Sequence, residues 1–300
     1  MKSIGLSHSE PAREYLKHIR GLEYAGTVAD LPYFTDAKGE HHVGGHKNIY
    51  SVILGDSKET HAALDAWKQT RPFVHYSFSE EKNPYGGSRL DFILELPLPM
   101  KHEDRLKLYK KRISRYIDKN TELGVTYKIE SPVPGWYGLY ADAMRRFGSM
   151  AKPHRYFLDL ERYFGTHIVC ANAYYGGELA GALYCLWYGD YIQFFVMASK
   201  EEHRARRIHN GLFDTAIRFA IDNGIRYVDF GPTMIQDESH WALKEGFGAK
   251  RFYFSDASFT PKSDAAKRAF MDFFLRIKRR LYKYAYAARS FFHAHDSVGN

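Results

Sequence analysis

Two tight turns rich in glycine divide residues 167–198 into three strand-like runs. Gly176-Gly177 separates the first run from the second, and Gly189-Asp190 separates the second from the third. The runs are rich in aromatic and β-branched residues, and two-residue glycine junctions between such runs are typical of β-hairpins. The pattern therefore predicts an antiparallel meander in the second half of the chain, which excludes an all-helical fold.

Helical and strand-like patterns continue on both sides of this meander. Helical spacing of apolar residues precedes it at 136–147 and 155–164, and the segments after it alternate as helix 210–221, strand 226–230, helix 237–245 and strand 250–254. The order ααβββαβαβ predicts an α/β (α+β) unit of ordinary domain size. Its start is placed at the stiff Ser131-Pro132-Val133-Pro134 segment, so the unit spans residues 132–260.

The regions before and after this unit have different patterns. Residues 1–131 combine short strand-like runs with helical patterns at 59–70 and 102–123. In the tail, 261–300, apolar residues recur at helical spacing, and five of the eight residues from Arg276 to Lys283 are Lys or Arg. The tail is therefore predicted to be a basic amphipathic helix. It either packs on the protein, binds tRNA phosphates or lies on an anionic membrane.

Charge and cysteine usage limit the class of protein. The chain has 43 Lys and Arg against 35 Asp and Glu, and its net charge of +8 suits an anionic partner. Cys170 and Cys185 lie in apolar strand-like runs, which predicts buried thiols and not a disulfide framework. No stretch resembles a signal peptide or the ~20 apolar residues of a membrane span. We therefore expect a cytoplasmic protein, soluble or peripheral at the inner membrane.

Several enzyme classes are excluded by their missing motifs. The sequence contains no His-Glu-x-x-His zinc motif, no Gly-x-x-x-x-Gly-Lys phosphate loop and no Gly-x-Ser-x-Gly nucleophile elbow. Histidines are numerous, but His41, His42 and His46 lie in a glycine-rich segment. We interpret that segment as a solvated loop and predict no metal site.

A basic segment lies between the last strand of the meander and the helix that follows it. Arg204, Arg206 and Arg207 come just before this helix, which starts near Asn210. Free backbone N–H groups and the helix dipole both favour negative charge at a helix N-terminus. The segment is therefore either an anion-binding site or a solvated turn with exposed arginines.

Four short motifs occur in a fixed order in the second half of the chain. They are the hairpin segment from Gly176 or Gly177 to Leu183, the segment from Arg206 to Leu212 with Asn210, the strand end Val228-Asp229-Phe230-Gly231, and Leu243-Lys244-Glu245-Gly246-Phe247-Gly248. Together they resemble the FemAB family of the GNAT superfamily of N-acyltransferases, over residues 90–254. The resemblance implies GNAT-like mixed sheets flanked by helices in two tandem domains. Residues 1–131 would form an abbreviated first domain and residues 132–260 the second.

The resemblance also implies a reaction, the transfer of an acyl or aminoacyl group onto an amine. The acceptor would be a cell-wall or lipid-linked peptide, and the donor aminoacyl-tRNA or acyl-CoA, with no tightly bound cofactor. The family's motif lysine, which matches Lys244, would stabilise the oxyanion; otherwise Lys244 is a surface lysine. Asp229, at the end of its strand, would either take the amine proton or cap a turn. Arg204, Arg206, Arg207 and Asn210 would bind the donor.

Two departures from the family pattern qualify these expectations. Leu243 stands where the family has phenylalanine, so no aromatic role is expected there. The segment from Arg206 to Gly211 lacks the first glycine of the acetyl-CoA loop, which favours a donor other than acetyl-CoA. The alternatives are an acyl-CoA-dependent N-acyltransferase and a non-catalytic GNAT-like module that binds RNA or an anionic membrane.

Overall fold

The computed structural model of the chain describes residues 2–46, 48–55, 57–71, 73–81 and 89–259. The predicted tail helix lies outside the described residues, so its contacts with tRNA or a membrane stay predictions. Within the described ranges, every helix is too short or too polar to cross a lipid bilayer.

The first part of the chain consists of short strands around two helices in its described residues. The strands are β1 (Lys2–Ile4), β2 (Glu23–Val28), β3 (Leu31–Thr35), β4 (His41–Val43), β5 (Gly45–His46), β6 (Ile49–Leu54), β7 (Val74–Glu80) and β8 (Arg89–Glu95). The helices are α1 (Glu10–Arg20) and α2 (Lys58–Gln69). The sequence analysis did not predict α1, although capping residues mark both of its ends. The Ser9 side chain accepts a hydrogen bond from the Ala12 N–H, and Gly21 ends the helix with a φ of 64°.

The single helix expected over residues 102–123 is wrong. The chain forms a 3₁₀ turn over His102–Lys107, and the helix proper, α3, covers Lys111–Glu122. Long-range contacts cause the break. The Lys110 N–H donates to the Gly246 carbonyl at 2.7 Å, and the Arg105 guanidinium pairs with Asp214 at 2.6 Å. These contacts tie the turn and the start of the helix to two different segments of the chain, at Asp214 and Gly246.

The second part of the chain has the predicted order of elements and one further short strand. After α3 come β9 (Thr126–Glu130), α4 (Trp136–Arg146), α5 (His154–Phe164), β10 (Ile168–Tyr175), β11 (Glu178–Tyr188), β12 (Tyr191–Ser199), α6 (His209–Asp222), β13 (Tyr227–Asp229), β14 (Thr233–Met234), α7 (Glu238–Gly246) and β15 (Lys250–Phe259). The meander β10–β11–β12 is antiparallel, as its glycine turns predict.

All these strands belong to one continuous sheet. Its main path is β2-β3-β4-β7-β15-β8-β13-β12-β11-β10-β9, with β1, β5, β6 and β14 paired at its sides. The pairs β12–β13, β4–β7 and β6–β7 are parallel, and the other pairs are antiparallel. The predicted mixed sheet flanked by helices is confirmed. The last strand, β15, lies between β7 and β8, and β9 pairs with β10. The division into domains 1–131 and 132–260 stays a prediction.

Both faces of the sheet are covered by apolar cores, as the strand β11 illustrates. Tyr184 and Leu186 pack with Trp136 of α4 on one face, whereas Leu183 and Cys185 pack with α6 on the other. This alternation is the period of two expected of a strand buried on both sides. Cys185 and Cys170 are both buried free thiols, which confirms their interpretation.

The interpretation of residues 41–46 as a solvated loop is wrong. His41 and His42 lie in β4, where both are half-buried, and β4 pairs with β3 and β7. The pairing with β7 joins segments more than thirty residues apart in the sequence. The local glycine pattern contains no trace of such a contact, and glycine alone does not distinguish a loop from a short strand.

Candidate active site

The strands β12 and β13 separate at the centre of the sheet and leave a cavity between them. Their parallel pairing ends at Gln193 and Asp229, whereas β12 continues to Ser199. Beyond that point, one edge of β12 faces the cavity with residues 194–197 and is not paired by β13. A strand edge of this kind offers backbone N–H and C=O groups to an extended ligand. The cavity has a volume of about 580 Å³.

Where β12 lines the cavity it contains a β-bulge. Tyr184 of β11 pairs with Val196 and the next residue pairs with Phe194, so Phe195 is the extra residue. A bulge bends a strand and disturbs its ladder locally. Here it coincides with the point at which β12 turns away from β13.

The turn after β13 brings the backbone close to β12. Gly231 has a φ of 74°, and a Cβ at this position would lie 3.1 Å from the Phe194 carbonyl oxygen. Only glycine fits such a left-handed residue without strain. The turn also directs the Gly231 carbonyl towards α7, where it meets Lys244.

Asp229 is fully buried and its carboxylate is surrounded by donors. The Tyr50 hydroxyl donates to Oδ2 at 2.8 Å, the Tyr191 hydroxyl donates to the same oxygen, and the Gly231 N–H donates to Oδ1 at 2.6 Å. Burial raises the pKa of Asp229 well above its ordinary value, and the neighbouring Asp91 raises it further. The residues lining the cavity do not include Asp229. Asp229 caps the turn after β13 through the Gly231 N–H, which is one of the two roles that the sequence suggested for it.

Lys244 is buried, with 7% of its surface exposed, which excludes its interpretation as a surface lysine. It lies in the last turn of α7 and lines the cavity. Its Nζ donates to the Gly231 carbonyl and to Thr233 Oγ1, at 2.5 Å each. The Phe92 ring centroid lies 5.2 Å from Nζ. Two of the three ammonium protons therefore hold the group, and the third has no partner among the described residues and can bind a ligand.

The charge of Lys244 is tuned by its surroundings. Burial lowers the pKa of Lys244 from 10.5 to about 8, and the nearby Asp91, Asp229 and Asp237 oppose this shift. At neutral pH the group remains largely protonated. A cation that is held by the backbone and shielded from water can stabilise a negative oxygen in the cavity.

His240 lies one helical turn before Lys244 on α7, so the two side chains share a face of the helix. His240 also lines the cavity, and its Nδ1 is 2.5 Å from Asp237 Oδ2. Since an ionised carboxylate only accepts hydrogen bonds, Nδ1 carries the proton and Nε2 of the neutral ring is an acceptor. The sequence analysis missed Asp237 and His240. Their spacing is visible in the sequence, since Asp237 lies three residues before His240 and His240 lies four residues before Lys244.

A second cavity, of about 670 Å³, adjoins the first. The two share Met197, His240 and Leu243 in their walls. Leu243, the residue that departs from the family motif, is thus part of the boundary between them. The arrangement forms a continuous groove, with Lys244 in one half and a basic surface in the other.

Three of the four predicted donor-binding residues line this second cavity. They are Arg204, Arg207 and Asn210. Arg206 does not line it; its guanidinium packs over the Tyr175 ring, 4.3 Å from the centroid. Asn210 is buried, and its Oδ1 has no hydrogen-bond partner among the described residues. Such an orphaned acceptor beside a cavity is suited to a ligand donor.

The helix α6 directs its N-terminus to this region without a side-chain cap. Of its first N–H groups, that of Asn210 donates to the Arg207 carbonyl at 3.1 Å, and the others have no side-chain acceptor among the described residues and can bind an anion. Gly211 lies in the first turn, where a Cβ would be 2.1 Å from the Tyr127 ring. Glycine is therefore required here for packing against Tyr127, and not for binding phosphate. Arg112 of α3 and Arg146 of α4 also line the cavity. The sequence analysis missed these two arginines, since only the fold brings α3, α4 and α6 together.

Residues 108–242 match the family model described as an acetyltransferase (GNAT) domain. These residues form a GNAT domain. No protein of curated function matches the sequence. The GNAT domain and the fold comparisons that follow confirm the resemblance inferred from the four motifs.

Among solved structures, the fold is similar to that of FemX, with a TM-score of 0.61 and 11% identity over 89% of this chain and 99% of FemX. It is also similar to the C-terminal domain (DUF2156) of a candidate lysylphosphatidylglycerol synthetase from Agrobacterium fabrum. That match has a TM-score of 0.51 and 11% identity over 87% of this chain and 90% of the other. A conserved protein of unknown function from Bacteroides thetaiotaomicron has a TM-score of 0.50 and 11% identity, over 84% and 92% of the two chains. At these identities the likeness establishes the fold alone.

Proposed function

We propose that this GNAT-fold protein is a transferase that moves an activated acyl or aminoacyl group onto an amine. The observation that carries the proposal is the buried Lys244 ammonium, which lines the cavity at the split between β12 and β13. A buried cation costs stability, so a fold that retains one at a cavity wall has a use for the charge. The adjoining basic cavity supplies a place for the phosphates of a donor.

In the proposed reaction the acceptor amine attacks the carbonyl carbon of the donor. A C–N bond forms, and the carbonyl oxygen becomes an oxyanion that the Lys244 ammonium stabilises. His240 Nε2 takes the proton that the amine loses, and Asp237 holds the imidazole in the required tautomer. The bond to the leaving oxygen or sulfur then breaks, and the imidazolium returns its proton to the leaving group.

Asp229 is assigned a supporting part in this mechanism. Its buried carboxyl fixes the turn that presents the Gly231 carbonyl to Lys244. It is therefore a positioning residue. The exposed His240, which lines both cavities, is better suited to contact an incoming amine.

The donor is proposed to carry phosphates at the end remote from the acyl group. Arg204, Arg207 and the uncapped N-terminus of α6 would bind them, while the open edge of β12 would hold the linking part of the donor. Both aminoacyl-tRNA and acyl-CoA have this design. The Tyr127 ring occupies the space beside Gly211, so this glycine does not provide a close approach for phosphate. Because the loop also lacks its first glycine, we favour aminoacyl-tRNA.

The acceptor is proposed to be an amine on a cell-wall or lipid-linked peptide. One structural relative is a candidate lysylphosphatidylglycerol synthetase, and its name describes an aminoacyl group joined to a lipid. The protein would then work at the inner face of a membrane, with the basic tail as its contact.

The proposal is tested by offering the purified full-length protein aminoacyl-tRNA and acyl-CoA in parallel, each radiolabelled in the acyl group, with amine acceptors in excess. Transfer from one donor that is lost in Lys244→Met and retained in Lys250→Met supports the proposal. Lys250 is an exposed lysine on β15 and controls for the loss of a lysine as such. Binding of tRNA or anionic vesicles with no transfer from either donor would instead indicate a non-catalytic module.

A further inference from the structure

Three potential metal ligands meet in the first part of the chain, away from the two cavities. Glu40 immediately precedes β4, His42 lies within it, and His75 lies in β7. The parallel register of β4 and β7 places His42 directly opposite His75. Because side chains alternate along a strand, Glu40 and His42 share a face. None of the three residues lines either cavity of the candidate active site.

The donor atoms of these residues converge. One imidazole nitrogen of each histidine and one oxygen of Glu40 all lie within 4.8 Å of one another. His75 Nε2 is 2.8 Å from Glu40 Oε2, and the two imidazole rings are stacked with centroids 4.6 Å apart. Tetrahedral ligands at zinc bond lengths are ~3.3 Å apart, so side-chain movements of about an ångström complete the geometry.

His42 contributes an independent sign of a ligand. Its Nε2 is buried and has no hydrogen-bond partner among the described residues. A buried polar atom without a partner is rare in a folded protein and needs an explanation. A bound metal ion is one such partner, because an imidazole nitrogen ligates a metal through its lone pair.

The loop before β4 holds Glu40 in position. The Asp36 side chain accepts hydrogen bonds from the Lys38 and Glu40 N–H groups, at 2.9 Å each. The Asp36 N–H in turn donates to the Glu40 carbonyl at 3.1 Å. This closed turn fixes the backbone of Glu40, and its carboxylate is directed towards His75.

We propose that Glu40, His42 and His75 form a binding site for a divalent transition metal of the Zn²⁺ class, which joins β4 to β7. Two imidazoles and one carboxylate are a ligand set that zinc accepts, and water would occupy the fourth position. On binding, the metal replaces the hydrogen bond between His75 and Glu40, and His75 ligates as the imidazole tautomer that carries its proton on the other ring nitrogen. The proposal is independent of the transferase activity.

The test is a Zn²⁺ titration by calorimetry on the full-length protein, with any affinity tag removed because tag histidines bind zinc. We expect about one ion per chain. His42→Gln and Glu40→Gln should each weaken Zn²⁺ affinity by more than the ~10–100-fold seen when a supporting residue is lost. His41→Gln is the matched control, because His41 faces the other side of β4, 5.3 Å from the Trp67 ring. It should bind Zn²⁺ as the wild type does.

Unchanged affinity in both ligand variants, or an equal loss in His41→Gln, overturns the proposal. A second measurement on the wild type covers the case in which a variant fails to fold. Co²⁺ in place of Zn²⁺ should produce the intense visible absorption of a four-coordinate site, and Zn²⁺ should abolish it. The weak absorption of six-coordinate Co²⁺ would contradict the assigned ligand set.

Discussion

Replacing Lys244 by methionine removes the positive charge at the strand split and keeps most of the aliphatic side chain. If the ammonium stabilises the oxyanion, turnover should fall by ~10²–10³, which corresponds to about 3–4 kcal/mol of transition-state stabilisation. The contacts of Nζ with the Gly231 carbonyl and Thr233 Oγ1 fix the position of this charge. Lys244→Arg should also be slow, because a planar guanidinium does not fit the position of a compact ammonium.

The same substitution should change stability only moderately, because two effects oppose each other. Folding lowers the pKa of Lys244 from 10.5 to about 8, so burial of its charge costs about 3 kcal/mol below pH 8. Methionine removes this cost, but it leaves the Gly231 carbonyl and Thr233 Oγ1 without their donor, at ~1–3 kcal/mol each. The net change at pH 7 should therefore lie between about 1 kcal/mol of stabilisation and about 3 kcal/mol of destabilisation.

The assay combines single-turnover transfer at saturating donor with thermal unfolding, and Lys250→Met is the control. A rate within about threefold of the wild type, against the hundredfold loss expected of an oxyanion contact, would refute the role of Lys244. A loss of folded protein in place of a loss of rate would show that Lys244 is structural.

Three further predictions concern the pH dependence and the neighbouring residues. The single-turnover rate should fall as the pH rises through about 8, because Lys244 then loses its charge. Between pH 8 and 10.5 the unfolded chain binds the Lys244 proton more tightly than the folded chain, so the wild type should gain stability relative to Lys244→Met in denaturant unfolding. His240→Gln should slow transfer by ~10²–10⁴. Asp229→Asn keeps the side-chain size and one oxygen acceptor for the turn, so the rate should stay within about tenfold; the opposite ranking would make Asp229 the proton acceptor. Arg207→Gln should raise the donor concentration needed for half-maximal rate more than it lowers turnover, while Arg206→Gln should have little effect; equal effects in steady-state kinetics would contradict a donor site in the second cavity.

Elements that depend on local interactions were predicted from the sequence, whereas those that depend on contacts between distant residues were not. The meander β10–β12 and the helices around it were predicted to within about two residues, because hydrophobic period and glycine turns are local signals. The insertion of β15 between β7 and β8 was not predicted, since it joins residues more than 150 positions apart. The break before α3 arises in the same way from the contact of Lys110 with Gly246.

The candidate site shows the same division. Lys244 and Asp229 were both predicted from motifs. The sequence did not show that Lys244 lines the cavity whereas Asp229 caps a turn and does not line it. Arg112 and Arg146 reach the second cavity from helices that precede the predicted basic segment by more than fifty residues. Arg206 was predicted from its charge, its place before the helix and its motif, whereas its packing on Tyr175 depends on the direction of one side chain.

The central claim is that the two adjoining cavities are one site in which Lys244 faces the reacting carbonyl. A crystal structure with a non-reactive analogue of the preferred donor tests it most directly. We expect the carbonyl oxygen of the analogue, or the oxygen that mimics the oxyanion, ~2.7–3.1 Å from Lys244 Nζ. Its phosphates should lie at Arg207 and the N-terminus of α6. An analogue bound outside the groove, or with its carbonyl directed away from Lys244, would contradict the account.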